Sequence, residues 1–472
     1  MKRIHIFKFI SLIGIFILNL TGNLLAQYIP LNLPKGFDIK GGKAIFVDFL
    51  KANYTLTYNL SKETAVVKAE IQFESKELGF PIFDSVVMPT SVKLNGVSVE
   101  QELISTPDDA TKIRIAKLEV PAGIHQLSIE LPLNEDVDFA DGEVRSTFFM
   151  ADLNDRNFLE QYVPTSFEYD QVAMEFTINV EGKVKKPLTV FTNGDIVNFQ
   201  KSDLLWSWNI KFPDYFNVSS PYLHLTVESS FGIRKTSYKS IDGRLIPVTV
   251  YSKSKGSVES YKNSSLNNLK TLENYFGPWP HPNLVVYVSG RGGMEYCGAT
   301  RTSSAALKHE MIHSYIARGV MPANGNAGWF DEAVATWGAS KNWAPRTTLD
   351  FSSSNMAGHS VYRRSTDKDG YGKGMRFVAY LDNLTKNQGG FNPFLRFIVK
   401  NYSFQPMRAY QLRDLMQEFY GPSINFSELY DKYIFGSITI GDENEMIDSG
   451  KMEVSENPYH PVLNAQEKKD LL

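Results

Sequence analysis

The 472-residue sequence predicts a multidomain protein, an N-terminal antiparallel all-β domain followed by an α+β domain. Three observations lead there. The chain is too long for one ordinary hydrophobic core. Its apolar residues alternate with a period of two as far as about residue 230, and after Tyr251 the period lengthens to that of a helix. Its composition is that of a globular protein, 43% hydrophobic and 21% charged, and a net charge of −3 from well-mixed acids and bases leaves no basic patch for nucleic acid.

At the N-terminus, Lys2, Arg3 and Lys8 precede an apolar run from Phe9 to Leu18, and Leu24-Leu25-Ala26-Gln27 offers a cleavage site. Residues 1–26 therefore read as a signal peptide. The run is shorter than the roughly 18 apolar residues that span a bilayer, so no stable membrane span is expected after cleavage. Cys297 is the only cysteine, so no internal disulfide is available. An exported chain of this kind fits a periplasmic or secreted bacterial protein whose cores supply its stability.

Residues 27–230 form the predicted β domain. Val67, Ala69, Ile71 and Phe73 alternate with Lys68, Glu70, Gln72 and Glu74. The alternation recurs at Leu127, Ile129 and Leu131, at Met174, Phe176, Ile178 and Val180, and at Leu223, Leu225 and Val227. Such half-buried strands are separated by turn residues such as Asn95-Gly96 and Asn193-Gly194.

Residues 231–440 form the α+β domain, and the polar segment 441–472 reads as a tail. Ile246–Tyr251 and Leu284–Val288 read as buried strands. Between them, Leu266, Leu269, Leu272 and Phe276 mark one helix face that ends near Gly277-Pro278. A further helix has Ser303 or Ser304 as its candidate N-cap and Gly319 as its candidate C-cap. Helical runs follow around Met375–Leu384, Pro393–Val399, Leu412–Phe419 and Leu429–Phe435.

The helix before Gly319 carries His309-Glu310-Met311-Ile312-His313. Two histidines four residues apart project from one helical face and can grip one metal ion. Glu310, about 100° round the helix, can reach a water on that ion without being a ligand. Glu332, in Gly328-Trp329-Phe330-Asp331-Glu332, opens a second apolar helical run and supplies a third ligand. Two imidazoles and a carboxylate leave one tetrahedral position open, the arrangement of a catalytic zinc. Asp331 is a candidate partner for an imidazole N–H, and a helix-start carboxylate in solvent is the other reading. Cys297 reads as a small buried residue.

These motifs resemble the zinc aminopeptidases of the aminopeptidase N and leukotriene hydrolase family, the gluzincins with eighteen residues between the second histidine and the ligand glutamate. The resemblance covers roughly residues 45–436 and implies a β domain followed by a thermolysin-like zinc metallopeptidase domain, in a short form without the large helical C-terminal domain. It implies one zinc ion held by His309, His313 and Glu332, with Glu310 as general base for a water that attacks the scissile carbonyl. Gly292-Gly293-Met294-Glu295-Tyr296 is similar to the family's exopeptidase signature, whose glutamate binds the substrate's free α-amino group. Tyr371, in Tyr371-Gly372-Lys373-Gly374, matches the tyrosine that stabilises the tetrahedral intermediate. Asp155 and Glu160 are candidates for a second acidic contact to that amine.

Peptides with a free N-terminus are then the expected substrates. Glu295 lies only fourteen residues before His309, and relatives place about twice that number between them. If the short connection keeps Glu295 from the site, a zinc endopeptidase or another zinc hydrolase is the alternative. A non-catalytic peptide-binding relative would need neither Glu310 nor Tyr371.

Overall fold

The computed structural model describes residues 33–436, apart from 110, 134–136, 141, 147–162, 168–169, 219, 291, 323–327, 341–345, 358–359, 361 and 363–365. The signal-peptide segment, Asp155, Glu160 and the 441–472 tail lie outside the described residues.

The alternating segments build an eight-stranded sheet from β1 (Asp48–Asn59), β2 (Thr64–Ser75), β3 (Ser91–Leu94), β4 (Val97–Ser98), β5 (Gly123–Pro132), β6 (Ala173–Glu181), β7 (Asp195–Lys201) and β8 (Leu205–Lys211). Its spatial order is β7-β8-β6-β1-β2-β5-β3-β4. One face is apolar because the period of two points Tyr54, Leu56, Val67, Ile71, Ile129, Phe176 and Ile178 the same way. That face shares a core with Val144, Val190, Leu223 and Leu225 from a four-stranded sheet of Val137–Ala140, Glu143–Ser146, Leu223–Val227 and Leu188–Thr192. A five-stranded sheet of short strands between Phe37 and Ala116 completes the β part.

Neighbouring strands of the large sheet are antiparallel except β1 and β6, which run parallel from Ala173↔Lys51 to Glu181↔Asn59. Asn95-Gly96 is the hairpin turn between β3 and β4, with φ of 51° and 81° at its two residues. Both values lie in the left-handed region that such two-residue loops require. Asn193-Gly194 is not a hairpin turn, since the strands it joins belong to different sheets. Its asparagine instead donates to Ser220 O and Cys297 O and accepts the Tyr222 N–H, pinning the β part to the helical part.

The second half is a five-stranded sheet with helices. It contains β9 (Gly232–Lys239), β10 (Leu245–Ser252), β11 (Leu284–Val288), β12 (Gly293–Tyr296) and β13 (Ala299–Thr302), ordered β9-β10-β11-β13-β12. The helices are α1 (Val258–Phe276), α2 (Leu307–His313), α3 (Gly328–Ala339), α4 (Asp369–Leu384), α5 (Asn392–Tyr402), α6 (Ala409–Tyr420) and α7 (Phe426–Tyr433). The α1 face of Leu269, Leu272 and Phe276 is buried with Val248 and Val286 of the sheet. Glu273 on the same helix is buried, and it accepts from the Tyr238 hydroxyl and from the backbone N–H groups of Ile241 and Trp279. The helix stops at Gly277, whose φ of 96° is a left-handed value.

Helix α3 is buried nearly all round because it lies between α2 and α4. Among the described residues no helix is long and apolar enough to cross a membrane.

Candidate metal centre

Three elements converge on the site: α2, α3 and the edge strand β12. Leu307, Met311 and Ile312 bury one side of α2, which leaves His309 and His313 to share the other. The helix is shorter than the capping residues imply. Ser303 and Ser304 lie outside it, and the Ser303 hydroxyl accepts the Ala306 N–H at 3.2 Å in the turn before it. Nor is Gly319 its cap, for the helix ends at His313 and a compact turn follows. A Cβ at Gly319 would collide with Tyr315 O, so glycine is needed there for close approach.

His309 Nε2 and His313 Nε2 lie 3.1 Å apart, and Glu332 Oε2 lies 3.2 and 3.5 Å from them. All three ligand atoms fall within 4.8 Å of one another. Glu332 Oε2 is buried and faces the two imidazole nitrogens, so three potential ligand atoms are turned toward one point, as a bound cation would require. With two imidazoles and one carboxylate the donor set suits zinc. Tyr371 stands in the first turn of α4, ahead of the Met375–Leu384 run, and its hydroxyl donates to Glu332 Oε1 at 2.7 Å. Gly374, one turn on, lets α4 approach α3: an added Cβ would sit 2.8 Å from Ala333 Cβ.

The electrostatics are those of a crowded acidic site. Burial pushes the Glu310 carboxyl up to about 8, with His313 opposing and Glu295 and Glu332 adding to the rise. A divalent cation at the ligands would draw it back down. Burial alone would raise Glu332 as well, but His313 and His309 hold it below the usual carboxylate range. Burial lifts the Tyr371 hydroxyl, and Glu332 lifts it further, so it remains a donor.

Asp331 is buried rather than solvated, and its Oδ1 accepts the backbone N–H of Glu332 at 2.8 Å. The ring nitrogen of His313 away from the ligand cluster, Nδ1, instead faces Ile316 O at 3.3 Å, so a backbone carbonyl orients that imidazole. Cys297 is a buried thiol, pushed up to about 12 by burial, whose Sγ lies 3.1 Å from Ser220 Oγ. It is not in the ligand group.

Despite the short spacing, Glu295 lies near enough to Glu310 and His313 to act on them electrostatically. Cys297 and Gly298 turn the chain between β12 and β13, and Glu295 pairs with Thr300 across that hairpin. Edge strand β12 then runs against the ligand helix: at Gly293 a Cβ would collide with the Glu310 carboxylate. Gly292, at a φ of 52°, and Met294 complete that stretch. Sequence reasoning missed Arg318, whose Nη2 lies 3.0 Å from Glu295 Oε1. A signal was available, since an arginine inside the apolar run Tyr315–Met321 must be buried and therefore paired.

No family model and no curated protein matches the chain by sequence. Its fold, in contrast, is that of solved metallopeptidases. A *Deinococcus radiodurans* M1 zinc metallopeptidase superposes with a TM-score of 0.59 at 15% identity, over 79% of this chain and 90% of that one. Yeast LTA4 hydrolase gives 0.59 at 14% identity, over 86% of this chain and 70% of that one. *Legionella pneumophila* aminopeptidase A in complex with aspartic acid gives 0.60 at 11% identity, over 81% and 49%. The chain thus shares the fold of these metallopeptidases, a β part followed by an α+β part, and it carries a His-His-Glu group that could hold a metal ion.

Proposed function

We propose that the chain is a zinc-dependent aminopeptidase that removes N-terminal residues from peptides. The observation that carries this reading is the arrival of Glu295, on an edge strand, beside a cluster already formed by Glu310, His309, His313 and Glu332. A mutant of the Deinococcus radiodurans metallopeptidase, one of the solved structures of this fold, has been crystallised bound to a Tyr-Ser-Ala substrate. Zinc, when bound by His309, His313 and Glu332, supplies Lewis acidity toward a water and a carbonyl oxygen.

In this reading Glu310 takes a proton from the attacking water and delivers it to the leaving amine. The Tyr371 hydroxyl turns from Glu332 to donate to the oxyanion that develops on the scissile carbonyl. Glu295 pairs with the substrate's α-ammonium and so sets which bond is presented. Export rests on the basic and apolar N-terminus. N-terminal sequencing of protein from its host should then begin near Gln27, whereas intact Met1 in a membrane fraction would refute export with cleavage.

The decisive assay compares a panel of aminoacyl-arylamides with their N-acetyl counterparts. Acetylation removes the charge that Glu295 is proposed to meet, so blocked substrates should turn over orders of magnitude more slowly. Glu295→Ala should lose activity on free amines and keep its zinc. Equal cleavage of free and blocked substrates would move the chain to the endopeptidase reading. Binding of peptides without turnover, unchanged by Glu310→Gln, would leave a peptide-binding protein.

A further inference from the structure

Arg318 is a buried charge for which the metal chemistry has no use. It follows the ligand helix by five residues, and its backbone N–H donates to His313 O at 2.9 Å. Its carbonyl accepts from Cys297 Sγ at 3.5 Å, at the turn of the β12–β13 hairpin. The residue thus links the exit of the ligand helix to the hairpin that carries Glu295. Its side chain is only 4% exposed, so substrate cannot reach it, whereas that of Glu295 keeps 16% exposure.

A guanidinium is a planar, permanently charged fork, and one desolvated this deeply must be paired. The Glu295 carboxylate has acceptor capacity on both oxygens, and the 3.0 Å contact from Arg318 Nη2 engages only Oε1. Among the described residues no other side chain is hydrogen-bonded to Glu295. A glutamate on a short edge strand, held by nothing else, would sample several rotamers.

We propose that Arg318 is a positioning residue for the amine-binding carboxylate: it holds Oε1 of Glu295 and leaves the other oxygen for the substrate's α-ammonium. The proposal rests on the aminopeptidase reading. It assigns Arg318 no contact with the reacting atoms. Its effect should therefore appear in the preference for a free amine rather than in activity at large. Loosening a positioning contact by about 1 Å can cost on the order of 10²-fold.

The test uses the zinc-loaded mature enzyme, the best aminoacyl-arylamide of the panel and its N-acetyl counterpart. The quantity read is the ratio of kcat/KM for the two. Arg318→Gln should lower that ratio by about 10- to 100-fold, chiefly through a raised KM for the free amine, with zinc content unchanged. Arg318→Lys keeps the charge without the fork and should fall between. Adding Arg318→Gln to Glu295→Gln should change the ratio little further, since Arg318 acts through Glu295.

Equal losses on both substrates would show a purely structural role and overturn the proposal, as would an unchanged or raised ratio. If Arg318→Gln fails to fold, Arg318→Lys decides, and a wild-type ratio there overturns the proposal. A wild type without any free-amine preference overturns the aminopeptidase reading together with this one. Wild-type preference with unchanged variants overturns this one alone.

Discussion

Gly374→Ala tests how the two helices behind the site hold Tyr371 against Glu332. Tyr371 and Gly374 are three residues apart on α4 and share a face, and Glu332 and Ala333 are adjacent on α3. A methyl on Gly374 would stand 2.8 Å from Ala333 Cβ. Carbon–carbon contacts rest at about 3.5–4.0 Å, so the helices must part by about 1 Å. Overpacking of this kind costs roughly 1–3 kcal/mol, of which the better helix propensity of alanine offsets about 1 kcal/mol. The same shift carries the Tyr371 hydroxyl away from its position 2.7 Å from Glu332 Oε1. A displacement near 1 Å at a group that acts in the transition state should lower kcat by roughly 10- to 100-fold, with little change in KM.

Ala333→Gly combined with Gly374→Ala moves the methyl to the other helix and should restore both properties, because the propensity changes of about 1 kcal/mol cancel. Turnover of an aminoacyl-arylamide gives kcat, urea denaturation gives the stability, and elemental analysis confirms the zinc. A Gly374→Ala enzyme with wild-type turnover and midpoint would refute the contact argument. So would a double variant no better than the single one.

His309→Ala should lose the metal by elemental analysis, whereas Glu310→Gln should keep metal and fold and lose about 10²–10⁴-fold in kcat. Full zinc with full activity in His309→Ala would remove that residue from the ligand set. His224 offers a test of pH dependence away from the site. Burial, with Lys253 and Arg301 adding, holds its imidazole down at about 3, so the folded state keeps it neutral. The unfolded chain takes up that proton below about 6.5 and therefore binds more protons, so stability falls as pH drops from about 6.5 toward 3. His224→Phe, which suits the surrounding rings of Phe191, Phe231, Tyr251 and Tyr287, should flatten the slope by about 1.4 kcal/mol per pH unit between about pH 5.5 and 4. Urea denaturation at stepped pH reads the slope, and identical slopes in wild type and variant would contradict a neutral buried imidazole.

Much of this protein was legible in one dimension because its signals are local. Alternation at Val67–Phe73 and Met174–Val180 foretells strands with one buried face, since a strand's side chains reverse at every residue. The four-residue spacing of His309 and His313 foretells a shared helical face for the same geometric reason. Glu332 was read from the apolar helical run that it opens and Tyr371 from motif resemblance, and the fold places the Tyr371 hydroxyl on a Glu332 oxygen.

What the tertiary structure alone decided are the meetings between distant segments. Nothing in the chain order says that β6 pairs parallel with β1 or that Asn193-Gly194 crosses between sheets. Gly374 looked like part of a motif until Ala333 appeared against it. Asp331 looked like a partner for an imidazole, and close packing gave that part to the Ile316 carbonyl, because the turn after α2 folds back on His313. Arg318 carries no motif at all. Its pairing with Glu295 exists because a hairpin and a helix exit, twenty-three residues apart in the chain, pack against each other and exclude the water that would otherwise solvate a guanidinium.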